Sequence, residues 1–125
     1  MESQFLIDTN IVIDILGNTM PDSVKRSIAR MPLIISAVTY MEALGWHKAG
    51  SSQLAAIRHF IEAATILPIN QPVVETTVSI RQQKKIGLGD AIIAATALVH
   101  HMTLVTRNIS DFKSVDGLQV LNPWG

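Results

Sequence analysis

Short apolar runs alternate with longer stretches of helical period along this chain. Phe5 to Ile7 is a run of consecutive apolar residues, the pattern of a strand covered on both faces. Asn10 to Leu16 then reads as a helix, with Gly17 and Asn18 as its stop. Asp22 or Ser23 is suited to cap a second short helix, which Pro32 would end. Leu33 to Ile35 predicts a second strand, Ala37 to Lys48 a helix closed by Gly50, and Ser52 to Ala64 a further helix. Ile66 and Leu67, ahead of Pro68, predict the third strand. Pro72 fits the first turn of a helix running to about Lys85. Gly87 and Gly89 bracket Leu88 before a helix from Asp90 to His101, and Leu104 and Val105 predict a fourth strand. Val120 and Leu121 predict a fifth strand, at an edge, before Pro123.

This alternation is the signature of an α/β fold with a mostly parallel sheet. The expectation is a three-layer α/β/α sandwich with four to five central strands, in one domain spanning residues 1–125. The segment from Asp90 to His101 leaves hardly any polar face, because Ala91, Ile92, Ile93, Ala94, Ala95, Ala97, Leu98 and Val99 surround it. A helix apolar all round is buried.

Composition narrows the class. Of 125 residues, 48% are hydrophobic and 16% charged, which excludes a disordered chain. No apolar run approaches the roughly 20 residues a membrane helix needs. The first residues lack the basic and apolar regions of a signal peptide, so a cytoplasmic location with no membrane is expected. Without cysteine there is neither a disulfide framework nor a thiolate metal site. The 10 basic and 10 acidic residues give a formal net charge of +0, which is not the footprint of a protein that holds nucleic acid by charge alone. The low charged fraction leaves apolar surface for a partner or a second copy to cover.

Four acids carry the candidate chemistry. Asp8 follows the first strand, and Glu42 lies in the helix after the second. Asp90 opens the buried helix, and Asp111 follows the fourth strand. Taken singly each has an ordinary explanation. Asp8 would cap a helix, Glu42 would be a solvated helix residue, Asp90 would meet the positive end of a helix dipole, and Asp111 would be a turn acid. Taken together they occupy positions that the ligand crevice of an open α/β sheet can gather. Crowded carboxylates raise one another's pKa unless a cation sits among them. Oxygen ligands without cysteine or a histidine pair favour Mg²⁺ or Mn²⁺ over Zn²⁺. Such a site suits hydrolysis of a phosphodiester, most naturally in nucleic acid.

The blocks "LIDTNIVIDIL", "ISAVTYMEAL", "GLGDAIIAATAL" and "LVTRNISDF", followed by "GLQVLNPW", resemble in order and spacing the PIN domain. Within that superfamily they are similar to the VapC-type toxins of type II toxin–antitoxin pairs. The resemblance covers essentially the whole chain. It implies a Mg²⁺- or Mn²⁺-dependent endoribonuclease with Asp8, Glu42, Asp90 and Asp111 as catalytic and metal-binding acids, Asp8, Asp90 and Asp111 holding metal directly. Glu42 would bind metal or orient the attacking water. Asn10, Thr106 and Asn108 are implied to support the acids by hydrogen bonding. In-line attack would leave a 5′-phosphate and a 3′-hydroxyl. A cognate antitoxin, a homodimeric state and a tRNA or ribosomal RNA substrate are likewise implied. The antitoxin is expected to lie across the cleft and present arginine or lysine to the acids. Two departures stand out. Gly89 occupies a position where many relatives carry proline, and "ALGWHKAG" after Glu42 is a looser version of the family's sequence.

Other residues divide between chemistry and structure. Arg107, beside Asn108, is the candidate to meet RNA phosphate. Arg81 with Lys84 and Lys85, and Lys48 with Arg58, read as solvated faces or as phosphate contacts. His100 and His101 diverge by about 100° around a helix and do not chelate one ion together. They read as structural or surface residues, as do His47 and His59. Trp46 reads as an interface aromatic or a base-stacking platform. Two other functions fit parts of the pattern. One is a binding module, PIN-like, that engages RNA or protein without cutting. The other is a phosphatase with Asp8 as nucleophile, although that chemistry wants an acid two positions on, where Asn10 stands.

Overall fold

The computed structural model describes residues 4–17, 19–46 and 48–125. Asn18 and His47 therefore lie outside the described residues. The elements run β1 (Phe5–Ile7), α1 (Thr9–Leu16), α2 (Asp22–Ala29), β2 (Ile34–Ser36), α3 (Ala37–Leu44) and α4 (Ser51–Glu62). They continue as β3 (Thr65–Leu67), α5 (Gln71–Gln83), α6 (Leu88–Val99), β4 (Thr103–Val105), α7 (Ile109–Phe112) and β5 (Val120–Leu121).

Every recorded strand pairing is parallel: β1 with β4, β4 with β5, and β2 with β3. The ladders form two sheets, β1-β4-β5 and β2-β3; β2 lies alongside β1 with no recorded ladder between them, so by proximity the strands follow the order β3-β2-β1-β4-β5. The chain builds outward from β1 on one side and then returns to its other side. The switch in strand order falls between β1 and β4, the place where open α/β sheets form their ligand crevice.

Alternation along three-residue strands divides the core. Leu6, Ile34 and Leu104 pack with Val73, Ile80, Ile93 and Phe112 on the face covered by α5 and α6. Ile7, Ile35 and Val105 pack with Ile11, Val24, Ile57 and Ile61 on the face covered by α1, α2 and α4. This is the expected three-layer α/β/α arrangement. Ala91, Ala94, Ala95 and Ala97 of α6 are fully buried, so the helix apolar all round is the most enclosed one.

Several boundaries differ from those expected. α2 is capped by Pro21 rather than by Asp22 or Ser23. The fixed proline φ (−60°) starts the helix, and Asp22 lies in its first turn. α3 ends at Leu44, not Lys48: the Gly45 N–H closes on the Met41 carbonyl at 2.8 Å, and a Cβ at Gly45 would meet that oxygen at 2.7 Å. α6 begins at Leu88, with Gly87 as its cap, which moves Asp90 from the opening residue to the third of the first turn. It ends at Val99. His101 adopts φ 56°, and the N–H groups of His101 and Met102 close on the Leu98 and Ala97 carbonyls. That pair of hydrogen bonds is a left-handed helix cap, in which a histidine takes a place usually given to glycine. The short α7 was not expected. Asp111 lies in its first turn rather than in an irregular loop.

Candidate active site

Asp8 terminates β1 and caps α1. Its backbone N–H donates to the Val105 carbonyl (3.0 Å), tying it to the end of β4. Its side chain is buried and held at both oxygens. Oδ1 accepts from the Thr9 N–H (2.8 Å), and Oδ2 accepts from the Thr106 hydroxyl (2.8 Å). The capping role and the ligand role are therefore compatible. Thr106 in turn accepts from the Asn108 N–H at 3.0 Å, so the turn after β4 is locked onto the acid.

The residue is 2% exposed, and its surroundings penalise charge. Burial pushes the Asp8 carboxyl up to about 6 against the hydrogen bond from Thr106, and the charges of Asp90 and Glu42 push the same way. Asp90 is also raised, first by burial, then by Asp111 and by Glu42. The four acids thus share one electrostatic field, each within influence of another. Among the described residues no group of three acids or histidines stands ready as a metal cage.

Glu42 is positioned by threonines. The Thr9 hydroxyl lies 2.7 Å from Glu42 Oε1 and 2.9 Å from the Thr39 hydroxyl. One proton serves each hydroxyl, so Thr39 donates to Thr9 while Thr9 donates to the carboxylate. The other carboxylate oxygen lies against Gly89, where a Cβ would come within 2.5 Å of Glu42 Oε2. Gly89 sits in the first turn of α6, and any side chain there, proline included, would press on the acid. Sequence reading missed Thr9 and Thr39. Threonine at the start of two helices suggests capping, and only their mutual distance shows otherwise.

The supporting residues divide. Thr106 holds Asp8 directly. Asn108 acts through its backbone N–H and makes no side-chain cap hydrogen bond to α7. Asn10 is exposed and, among the described residues, donates no side-chain hydrogen bond to an acid. Asp111 is exposed and reaches the group through its charge on Asp90. Arg107 is half exposed, with its guanidinium 4.1 Å from the Trp124 ring centroid and 4.0 Å from Asp14. His100 and His101 stand at the far end of α6, about 15 Å of helix rise from Asp90. Trp46 packs at the margin of the core face under α1 and α4.

The donor set fits a hard divalent cation. It consists of carboxylates with hydroxyl support, it contains no Cys, and two of its members are held above their ordinary pKa, first by burial and then by neighbouring carboxylates. Mg²⁺ typically takes only one or two protein carboxylates and completes its shell with water and phosphate, so the absence of a closed cage does not weigh against it.

The family model for the PIN domain matches residues 5–118. The chain is 31% identical over 126 residues to the tRNA(fMet)-specific endonuclease VapC of Shigella flexneri, covering 93% of this chain and 95% of that protein. It is 41% identical over 73 residues to ribonuclease VapC1 of Rickettsia felis, a match spanning 54% of either chain, and so only about half that relative's length. Among solved structures, a toxin–antitoxin complex from Klebsiella pneumoniae superimposes with a TM-score of 0.78 at 35% identity, over 96% of this chain and 98% of that one. DNA-bound VapBC from Salmonella typhimurium does so at 0.83 and 25% identity, over 98% and 99%. With the fold and these likenesses in agreement, the chain belongs to the PIN domain family, among its VapC-type members.

Proposed function

We propose that this chain is a metal-dependent endoribonuclease, the toxin of a toxin–antitoxin pair. The observation that carries the reading is the state of Asp8: a buried carboxylate at the strand switch, hydrogen-bonded at both oxygens and within the field of Asp90 and Glu42. Asp8, Asp90 and Asp111 would hold Mg²⁺ or Mn²⁺, and Glu42 would join them or orient the attacking water. A bound divalent ion supplies charge neutralisation at the scissile phosphate and eases ionisation of water. The chain's own residues do the rest. Thr9 and Thr106 fix the Asp8 carboxylate, and burial keeps bulk water from its rear. Thr39 and Thr9 hold Glu42 so that its second oxygen faces the crevice beside α6. Water attacks phosphorus in line, the bond to the 3′-oxygen breaks, and that oxygen takes up a proton, giving a 5′-phosphate and a 3′-hydroxyl. No covalent intermediate on the protein is needed.

The two other readings are weaker. A phosphatase nucleophile needs an open carboxylate, and both oxygens of Asp8 are engaged. A binding module has no use for four acids that repel one another.

The restraining partner is an antitoxin, in line with the complexes among the structural likenesses. A homodimer is proposed too, and the exposed Tyr40, Met41 and Val74 offer apolar surface for a partner to cover. No helix among the described residues is long and apolar enough to cross a membrane. We assign tRNA or ribosomal RNA as substrate and the cytoplasm as the site of action. The test is induced expression followed by mapping of RNA 5′ ends, with Asp8→Asn as control. Discrete new ends that depend on Asp8 and on Mg²⁺ or Mn²⁺ are expected. Equal cleavage by Asp8→Asn would overturn the assignment.

A further inference from the structure

Beside the acid site, on the other flank of the first turn of α6, lies an open cleft of about 540 Å³. Its walls carry Arg81, Lys84 and Lys85, with Val78, Ile86 and Leu88 between them, and no acid lines it. Three of the chain's 10 lysines and arginines are thus gathered in one place in a protein of formal net charge +0. None of the three has an ion pair among the described residues. Arg81 is held in place because its Nε donates to the Ile86 carbonyl (3.4 Å), which leaves its terminal N–H groups unused. Val78 and Leu88 are 51% and 56% exposed, so an apolar surface lies within the basic rim.

We propose that this cleft binds the phosphodiester backbone of the substrate RNA next to the scissile bond. The inference rests on the ribonuclease reading above. Leu88 lines the cleft and Asp90 belongs to the acid group. They are two residues apart in the first turn, about 3 Å of helix rise but about 200° around the axis, so a strand leaving the acids reaches the basic cleft by rounding the N-terminal end of α6. An acid cluster by itself repels RNA, and Arg107 is turned toward Trp124 and Asp14. Cations that focus the strand toward the acids resolve that conflict. A fixed guanidinium and two flexible ammonium groups match phosphate oxygens without reading sequence. Leu88 and Val78 would meet the bases or riboses of the same nucleotides.

The experiment uses the cleavage-dead Asp8→Asn protein and a fluorescent oligouridylate of about 15 nucleotides, titrated at several salt concentrations. Lys84→Glu/Lys85→Glu is expected to weaken binding about tenfold and to flatten the log–log salt slope by about 1.4, at about 0.7 for each phosphate no longer neutralised. The milder Arg81→Gln/Lys85→Gln variant, which introduces no new charge repulsion, is expected to flatten the slope by a similar amount. With the acids intact, both variants should raise the KM for a total tRNA pool more than they lower kcat. Unchanged binding and salt slope in both folded variants would overturn the inference while parent cleavage still upholds the ribonuclease. Weakened capture of the co-expressed antitoxin with RNA binding intact would also overturn it, because the cleft would then serve the protein partner. Failure of the parent to cut any RNA is a separate result, bearing on the proposed function itself.

Discussion

The Thr9 hydroxyl donates to Glu42 across 2.7 Å, joining the first turn of α1 to the middle of α3. The two residues are 33 positions apart, and the bond fixes an otherwise exposed carboxylate beside the buried Asp8. It makes Thr9 a positioning residue. Its backbone N–H holds one acid and its hydroxyl holds another.

Thr9→Val keeps the shape of the side chain and removes that hydroxyl. It should cost about 1 kcal/mol of stability, about 3–5 °C in Tm for a chain of this size. RNA cleavage should fall by a larger factor than that stability loss explains. Thr9→Ser should restore most of the activity. Equal cleavage by the valine variant and the parent would show that Glu42 needs no such support.

Gly89→Ala separates stability from activity. Alanine is favoured over glycine within a helix by about 1 kcal/mol, yet its Cβ would lie 2.5 Å from Glu42 Oε2. Thermal stability should hold or rise while cleavage drops. Adding Glu42→Ala should relieve the contact and raise stability further. Thermal melts read beside initial cleavage rates decide it.

The metal-free protein should be more stable in mild acid than at neutrality, within limits set by Asp8. Below pH 3.8 the carboxyl is protonated in both states and costs nothing. As pH rises from 3.8 to about 6 the unfolded chain releases its proton while the folded chain retains it, so stability falls. Above about 6 the full penalty remains, about 3 kcal/mol. Asp90, raised as well, acts in the same direction. Urea unfolding in chelator should therefore give the parent about 1 kcal/mol more stability at pH 5 than at pH 7 from Asp8 alone. In Asp8→Asn this difference should shrink by that amount, and at pH 7 the variant should match or exceed the parent. A parent whose excess over Asp8→Asn does not change between these pH values would show that Asp8 titrates normally.

Divalent cations should reverse that penalty. At about 100 times the dissociation constant, Mg²⁺ or Mn²⁺ should stabilise the parent by about 2.7 kcal/mol. The accompanying rise in Tm should vanish in an Asp8→Asn/Asp90→Asn variant, with KCl at matched ionic strength as the control. An equal rise in both proteins would place the cation elsewhere.

Much of this was legible in the sequence because it is decided locally. β1 fell where an uninterrupted apolar run places it, and α1 stopped at Gly17. α5 began beside Pro72, and α6 is buried all round, as its composition requires. Element ends were less legible. A cap depends on which of several adjacent candidates has the right backbone angles, as with Pro21 against Asp22 or Gly45 against Gly50.

The sequence by itself therefore determined the five strands, the longer helices, their layering and the four acids worth following. Period, capping chemistry and residue type are written within a few neighbouring positions. Only the tertiary structure decided how those acids are held and served. The Thr106–Asp8 hydrogen bond spans 98 positions, and the approach of Glu42 to Gly89 joins two separate helices. The pairing of Arg107 with Trp124 and the gathering of Arg81, Lys84 and Lys85 around Leu88 are likewise matters of which surfaces meet. Such distances are set by the packing of whole elements against the sheet, and no local pattern encodes them.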